Sequence, residues 1–148
     1  MMAARDTLGR AAAFCAVALV ALGGATVSPA QDPRSAQVQT AAREWLKLTD
    51  NQNATASFNA AGARFREPIT LEQWTDALTK ARAPLGAVDQ RTVAETAFDK
   101  AAGDGGTEIE IAMVRFRTAF AKKTESSETV TLEHEADGNW RVIGYFIR

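Results

Sequence analysis

One histidine, one tyrosine and a pair of closely spaced arginines are the side chains of this sequence whose types invite chemistry. His134 is the sole imidazole and Tyr145 the sole phenol, while Arg115 and Arg117 stand two positions apart. An imidazole exchanges a proton near neutral pH, so His134 at a cavity mouth would act as a general base. A phenol converging with a carboxylic acid makes an isomerase-like site, which is the use open to Tyr145. Two guanidinium groups on one face of a strand can hold an anion at a pocket rim, the use open to Arg115 and Arg117. The sequence supplies no partner for any of them at a recognisable spacing. Glu133 and Glu135 flank His134 but alternate to the opposite side of a strand, and no acid singles itself out for Tyr145. No catalytic residue is assigned. Tyr145, His134, Arg115 and Arg117 are carried forward as ligand-binding candidates in a cavity or on its rim.

Other chemistries lack their residue types. The only cysteine is Cys15, there is one histidine, and no carboxylate cluster has ligand spacing, so no metal site is expected. Gly103-Asp104-Gly105-Gly106 joins two strands and does not open a helix, which excludes a phosphate-binding loop. No cofactor is expected. A formal net charge of −1, well mixed along the chain, lacks the basic face of a nucleic-acid binder.

The first thirty residues read as a secretory signal peptide. Arg5 and Arg10 precede the apolar run from Ala11 to Leu22, and Ser28-Pro29-Ala30 follows with small residues where a signal peptidase reads. The run is shorter than the roughly 20 residues needed to cross a bilayer. Cleavage after Ala30 is expected, leaving a periplasmic or secreted protein with no cysteine and no stable membrane insertion. Without Arg5, Arg10 and Asp6 the remaining chain carries 15 basic and 17 acidic side chains.

The elements that must position the candidate residues follow from periodicity. Residues 31–37 read as a flexible lead and residues 38–148 as a single α+β domain. A first helix runs from about Ser35 to Asp50, with Val38, Ala41, Ala42, Trp45 and Leu48 on one stripe. A second covers Ala54 to Ala61, with Asn53 as its cap, Phe58 inward and Gly62 as its stop. A third opens at Thr70, where Gln73 completes a capping box and Ile69 with Trp74 forms a hydrophobic staple. Leu71, Trp74, Leu78 and Ala81 repeat on one face, and Pro84 ends the helix.

Four strands are then expected, roughly residues 87–98, 107–120, 126–136 and 139–148. Asp137-Gly138 is a two-residue hairpin signal, and short connections make the strands antiparallel neighbours. Three helices packed on one face of a curved, cone-like four-stranded meander are the expected fold. The third strand alternates: Val130, Leu132 and His134 against Thr129, Thr131, Glu133 and Glu135. The last does not, with Val142 and Phe146 expected on one side and Ile143, Tyr145 and Ile147 on the other. The second strand is also apolar on both sides, with Ile109, Ile111 and Met113 opposite Val114, Phe116 and Phe120. Two explanations stand: both faces are covered, or a bulge near Met113 gathers these residues onto one face.

Several segments carry a family resemblance. They are Ala42-Arg43-Glu44-Trp45-Leu46 with Asp50, Glu72-Gln73-Trp74, Arg82-Ala83-Pro84-Leu85-Gly86, and the closing stretch from Gly138 to Arg148. Together they resemble the bacterial domain-of-unknown-function family 4019. The helix-first order followed by a meander is similar to the fold shared by nuclear transport factor two and ketosteroid isomerase. That likeness implies a fold and carries no activity.

The functional expectation is a non-enzymatic exported binding domain, holding a small apolar ligand or an envelope protein. A homodimer through the outer face of strands two to four would cover the second apolar side. The alternative is a small cofactor-independent enzyme, isomerase- or dehydratase-like, with the cone as its active site. An enzyme should bring at least two titratable groups together in an open cavity; a binding module should show an apolar cavity or an exposed apolar face.

Overall fold

A computed structural model describes residues 32–148. The expected signal peptide lies outside the described residues. Four helices, α1 (Arg34–Asp50), α2 (Ala54–Ala60), α3 (Ala63–Arg66) and α4 (Leu71–Arg82), precede four strands. These are β1 (Val88–Ala102), β2 (Glu108–Phe120), β3 (Lys123–His134) and β4 (Trp140–Ile147). The sheet is an antiparallel meander in the order β1-β2-β3-β4. The α+β class is as the sequence implies, but the helix count is four. Gly62, read as a stop, caps the extra single-turn helix α3. Helix α1 begins at Arg34, so residues 34–37, assigned to a lead, are helical.

Local chemistry explains the helix ends. Asn53 accepts a hydrogen bond from the Ala56 amide at 3.0 Å and opens α2. Thr70 and Gln73 exchange both bonds of the capping box at the start of α4, at 3.2 and 2.8 Å. The β3–β4 hairpin differs from expectation. The Glu135 amide donates to the Asn139 carbonyl at 2.9 Å, which leaves a three-residue loop. Gly138 takes φ 83° there, the left-handed position that such loops require.

Helices α1 and α4 cover one face of the sheet. Val38, Ala42, Trp45 and Leu46 of α1 and Trp74 and Leu78 of α4 bury against Ala112, Val114 and Phe116 of β2. Val130 and Leu132 of β3 and Val142 of β4 complete that core. Trp45, Phe65 and Trp74 pack edge to face or tilted at 5.0 to 5.9 Å between ring centres. Buried Ser57 serves both tryptophans: its carbonyl accepts from the Trp45 indole and its hydroxyl from the Trp74 indole, each at 2.9 Å.

Strand β4 resolves the question of two apolar faces. Leu132 pairs with Val142 and Thr131 with Gly144, so Ile143 is an extra residue in the ladder. This bulge reverses the alternation of the strand. Tyr145 and Ile147 therefore join Val142 on the inner face, and Phe146 turns outward with 53 % of its surface exposed. The sequence expectation had Val142 with Phe146 and had Tyr145 and Ile147 opposite; the bulge corrects it. Pairing is regular on both sides of Met113, where a bulge had been the alternative. Of the closing segment only Val142 is fully buried, with Trp140 and Tyr145 partly buried against the core. The chain end is thus an edge strand with one buried and one open face, held by the Arg148–Ser127 backbone pair.

Candidate functional site

The structure separates the four candidate residues into three places. Tyr145 enters a buried ionic centre between the helices and the sheet. Its hydroxyl donates to Oε1 of Glu128 at 2.7 Å. Glu128 has no exposed surface, and Arg82 only 3 %. The same Oε1 accepts from Arg82 at 3.2 Å, while Oε2 accepts from Arg91 at 2.7 Å and Thr118 at 2.6 Å. Asp50 closes the centre, accepting from Arg82 at 2.6 Å and twice from Arg91, at 2.7 and 2.8 Å. The Arg82 guanidinium also lies over the Phe120 ring at 4.7 Å.

Two carboxylates and two guanidinium groups balance, which is the condition under which buried charges are tolerated. Burial opposes the charge on Arg91, but its bonds to Asp50 and Glu128 outweigh this and hold its pKa above the ordinary range. Burial also pushes the Tyr145 phenol far up, reinforced by the Glu128 charge and hydrogen bond and partly offset by Arg82. A general acid or base must reach a proton on a substrate. Here the phenol is committed to Glu128, and Glu128 accepts four bonds from the protein itself. The arrangement therefore orders the interior, with the phenol and both Glu128 oxygens engaged by the protein itself.

Sequence reasoning found no acid for Tyr145, and the signals were present. Glu128 has the same strand parity as inward Val130 and Leu132. Asp50 follows buried Leu46 by four residues, and Arg82 follows buried Leu78 by four, so both continue the inner stripe of their helices.

His134 lies at the other end of β3. Its Nδ1 is 3.2 Å from a carboxylate oxygen of Glu110, and its Nε2 is 3.2 Å from the Gly138 carbonyl. The ring stacks on Trp140 at 4.8 Å. A carboxylate partner therefore exists, contrary to the sequence expectation, but it comes from β2. Glu110 also accepts from Arg34 at 2.9 Å, and Arg34 reaches Asp32 at 2.6 Å and covers the Phe98 ring at 4.3 Å. Hydrogen bonds from Arg34 hold the Asp32 carboxyl down at about 2. The cluster ties the start of α1 to the sheet and to the hairpin.

Arg115 and Arg117 face outward from β2, with Met113. Register lays out this outer face in rungs across the strands. Thr92, Arg117 and Ser127 form one; Glu95, Arg115, Thr129 and Phe146 the next. Ala97, Met113 and Thr131 follow, then Asp99, Ile111 and Glu133. Arg115 pairs with Glu95 at 3.0 Å in an exposed bridge. Arg115, Ser127, Thr129, Phe146 and Arg148 line a surface cleft of about 450 Å³. Arg117 lines another of about 460 Å³ with Gln90 and Thr92. Among the described residues Arg117 makes no ion pair. The structure thus does not bring Tyr145, His134 and the arginines together in one cavity.

Solved structures align with this chain. A candidate NTF2-like transpeptidase from Campylobacter jejuni aligns over 70% of this chain and 94% of its own, at 15% identity and a TM-score of 0.50. Aln2 from a Streptomyces species aligns over 80% and 92%, at 14% identity and a TM-score of 0.48. ActVI-ORFA from Streptomyces coelicolor aligns over 76% and 94%, at 15% identity and a TM-score of 0.47. At this identity the first of these likenesses speaks to an NTF2-like fold and to nothing beyond it. No curated protein matches the chain. A family model matches residues 41–145, from the first turns of α1 to Tyr145 in β4, and the chain belongs to that family, the protein of unknown function family DUF4019.

Proposed function

We propose that this protein is an exported, non-enzymatic interaction domain that binds through the outer face of its sheet. The observation that carries the reading is the contrast between a filled interior and an open exterior. Trp45, Phe65, Trp74 and Tyr145 pack against one another in the interior. The charged groups beside them are all bonded to one another. Outside, Met113 and Phe146 are 42 % and 53 % exposed. Arg117, without an ion pair among the described residues, shares their face. Exposed apolar side chains with available cations nearby are the composition of a protein-binding surface.

Export rests on the charged start, the apolar run and Ser28-Pro29-Ala30. A protein partner in the envelope fits this placement better than a carried small molecule. Native mass spectrometry of gently purified protein tests both parts. The expected species begins at Gln31 and carries no small molecule. A stoichiometric apolar ligand would overturn the interaction reading, and a full-length chain in the membrane fraction would overturn export.

A further inference from the structure

We infer that the outer face takes an acidic segment of a partner protein, with its carboxylates on Arg117 and Arg148 and its apolar side chains on Phe146 and Met113. The inference rests on the proposed interaction reading and names the chemistry of the partner. Its basis is the row of side chains that crosses the strands at Ser127. Arg117 of β2 is the register partner of Ser127 on one side. Arg148 holds Ser127 on the other through both backbone bonds, at 3.1 and 2.9 Å. Strands about 4.8 Å apart put the two arginine positions roughly 10 Å from each other. Both are exposed, and neither makes an ion pair among the described residues. Of the acids at this end of the face, Glu95 is engaged by Arg115 at 3.0 Å, and Glu125 borders the cleft of Arg117 without pairing with it. Ser127 and Thr129 line the cleft between Arg115 and Arg148, so hydroxyl donors stand among the cations. Guanidinium forks with hydroxyls between them suit a carboxylate.

The face changes character in one direction. Along β2 it runs from Arg117 through Arg115 to Met113, and at the β4 edge from Arg148 to Phe146. Register through β3 sets the two columns side by side. The Arg148 guanidinium lies over the Phe146 ring at 4.9 Å, so cation and apolar surface adjoin. Same-face positions of an extended chain repeat about every 6.6 Å. An extended segment with an acid and, two positions on, an apolar side chain therefore matches a column from cation to apolar contact. Inorganic phosphate would use the arginine row alone and leave Phe146 and Met113 uncovered.

Fluorescence anisotropy with a labelled, blocked hexapeptide of alternating glutamate and leucine tests the match. The protein is the chain from Gln31 onward, whose described elements lie in one compact unit. The peptide should bind about tenfold or more tighter than versions with serine or lysine in place of glutamate. Raising salt from about 50 to about 500 mM should weaken it. Arg117→Glu and Arg148→Glu should each cost about tenfold in dissociation constant and Phe146→Ser about threefold, with circular dichroism unchanged. Lys80→Glu, a like charge change on exposed α4, should leave binding as it was. Equal binding of the acidic and serine peptides, or indifference to the arginine variants, would overturn the acidic partner and leave the face as an interaction surface. Displacement by inorganic phosphate, and not by chloride at matched ionic strength, would assign the arginine row to a free anion and overturn it too. Failure of all three peptides to bind would overturn the inference. The interaction reading falls with it only if native mass spectrometry of the same protein shows a bound small molecule.

Discussion

Arg82 of α4 and Arg91 of β1 lie inside this protein, and Arg115 and Arg117 of β2 lie on its outer surface. The inner pair is bonded to Asp50 and Glu128 through both guanidinium forks. The outer pair has one exposed bridge between them, from Arg115 to Glu95. The difference shows where constraint sits. Inside, each charge is needed by another, because an unpaired buried charge costs several kcal/mol. Outside, water satisfies an unpaired guanidinium at little cost, so a free one is available for a partner. The inner cluster therefore bears on stability, and the outer one is the surface that the proposed interaction would use.

The comparison is broken most severely by removing the acid at its centre. Glu128→Gln should destabilise by about 3–5 kcal/mol, since it leaves two buried guanidinium groups with one carboxylate. Urea unfolding measures this, and a loss below about 1 kcal/mol would mean the cluster is hydrated. Tyr145→Phe removes one hydrogen bond to a buried charge and should cost about 1.5–3 kcal/mol in the same assay. Arg117→Ser should lie within about 0.5 kcal/mol of the unmodified protein. A large destabilisation there would place Arg117 in the structural network after all.

Much of the fold was legible because its signals are local. The Thr70–Gln73 box, the Asn53 cap and the turn at Gly138 each involve residues within three positions of one another. The parity of β2 was also readable, because the extra residues of its two ladders fall in β1 and β3 and every second residue of β2 keeps its side. The closing strand was misread for a physical reason. One extra residue at Ile143 exchanges the two faces downstream, and nothing in Val142-Ile143-Gly144 announces which residue will be left out of the ladder. The ionic centre was missed for another. Asp50, Arg82, Arg91 and Glu128 come from four elements and up to 78 positions apart in the chain. Each sits where its stripe or parity points inward, but pairing across elements cannot be read from any one of them. The same holds for His134, whose carboxylate comes from β2 and not from its neighbours.

The central claim is that the interior is a closed structural centre and not a reactive site. Tyr145 reports on it directly, because it is the only tyrosine in the chain. Burial and the Glu128 carboxylate raise its folded pKa above the unfolded value of about 10. The neutral phenol therefore contributes stability that is fully present below about pH 10 and is lost as pH rises through the folded value. Alkaline titration followed by tyrosinate absorbance, with circular dichroism on the same samples, is the measurement. The account predicts no ionisation near pH 10 and a single step at higher pH that coincides with unfolding. Reversible ionisation near pH 10 in a protein that stays folded would show an open, solvated phenol and contradict the account.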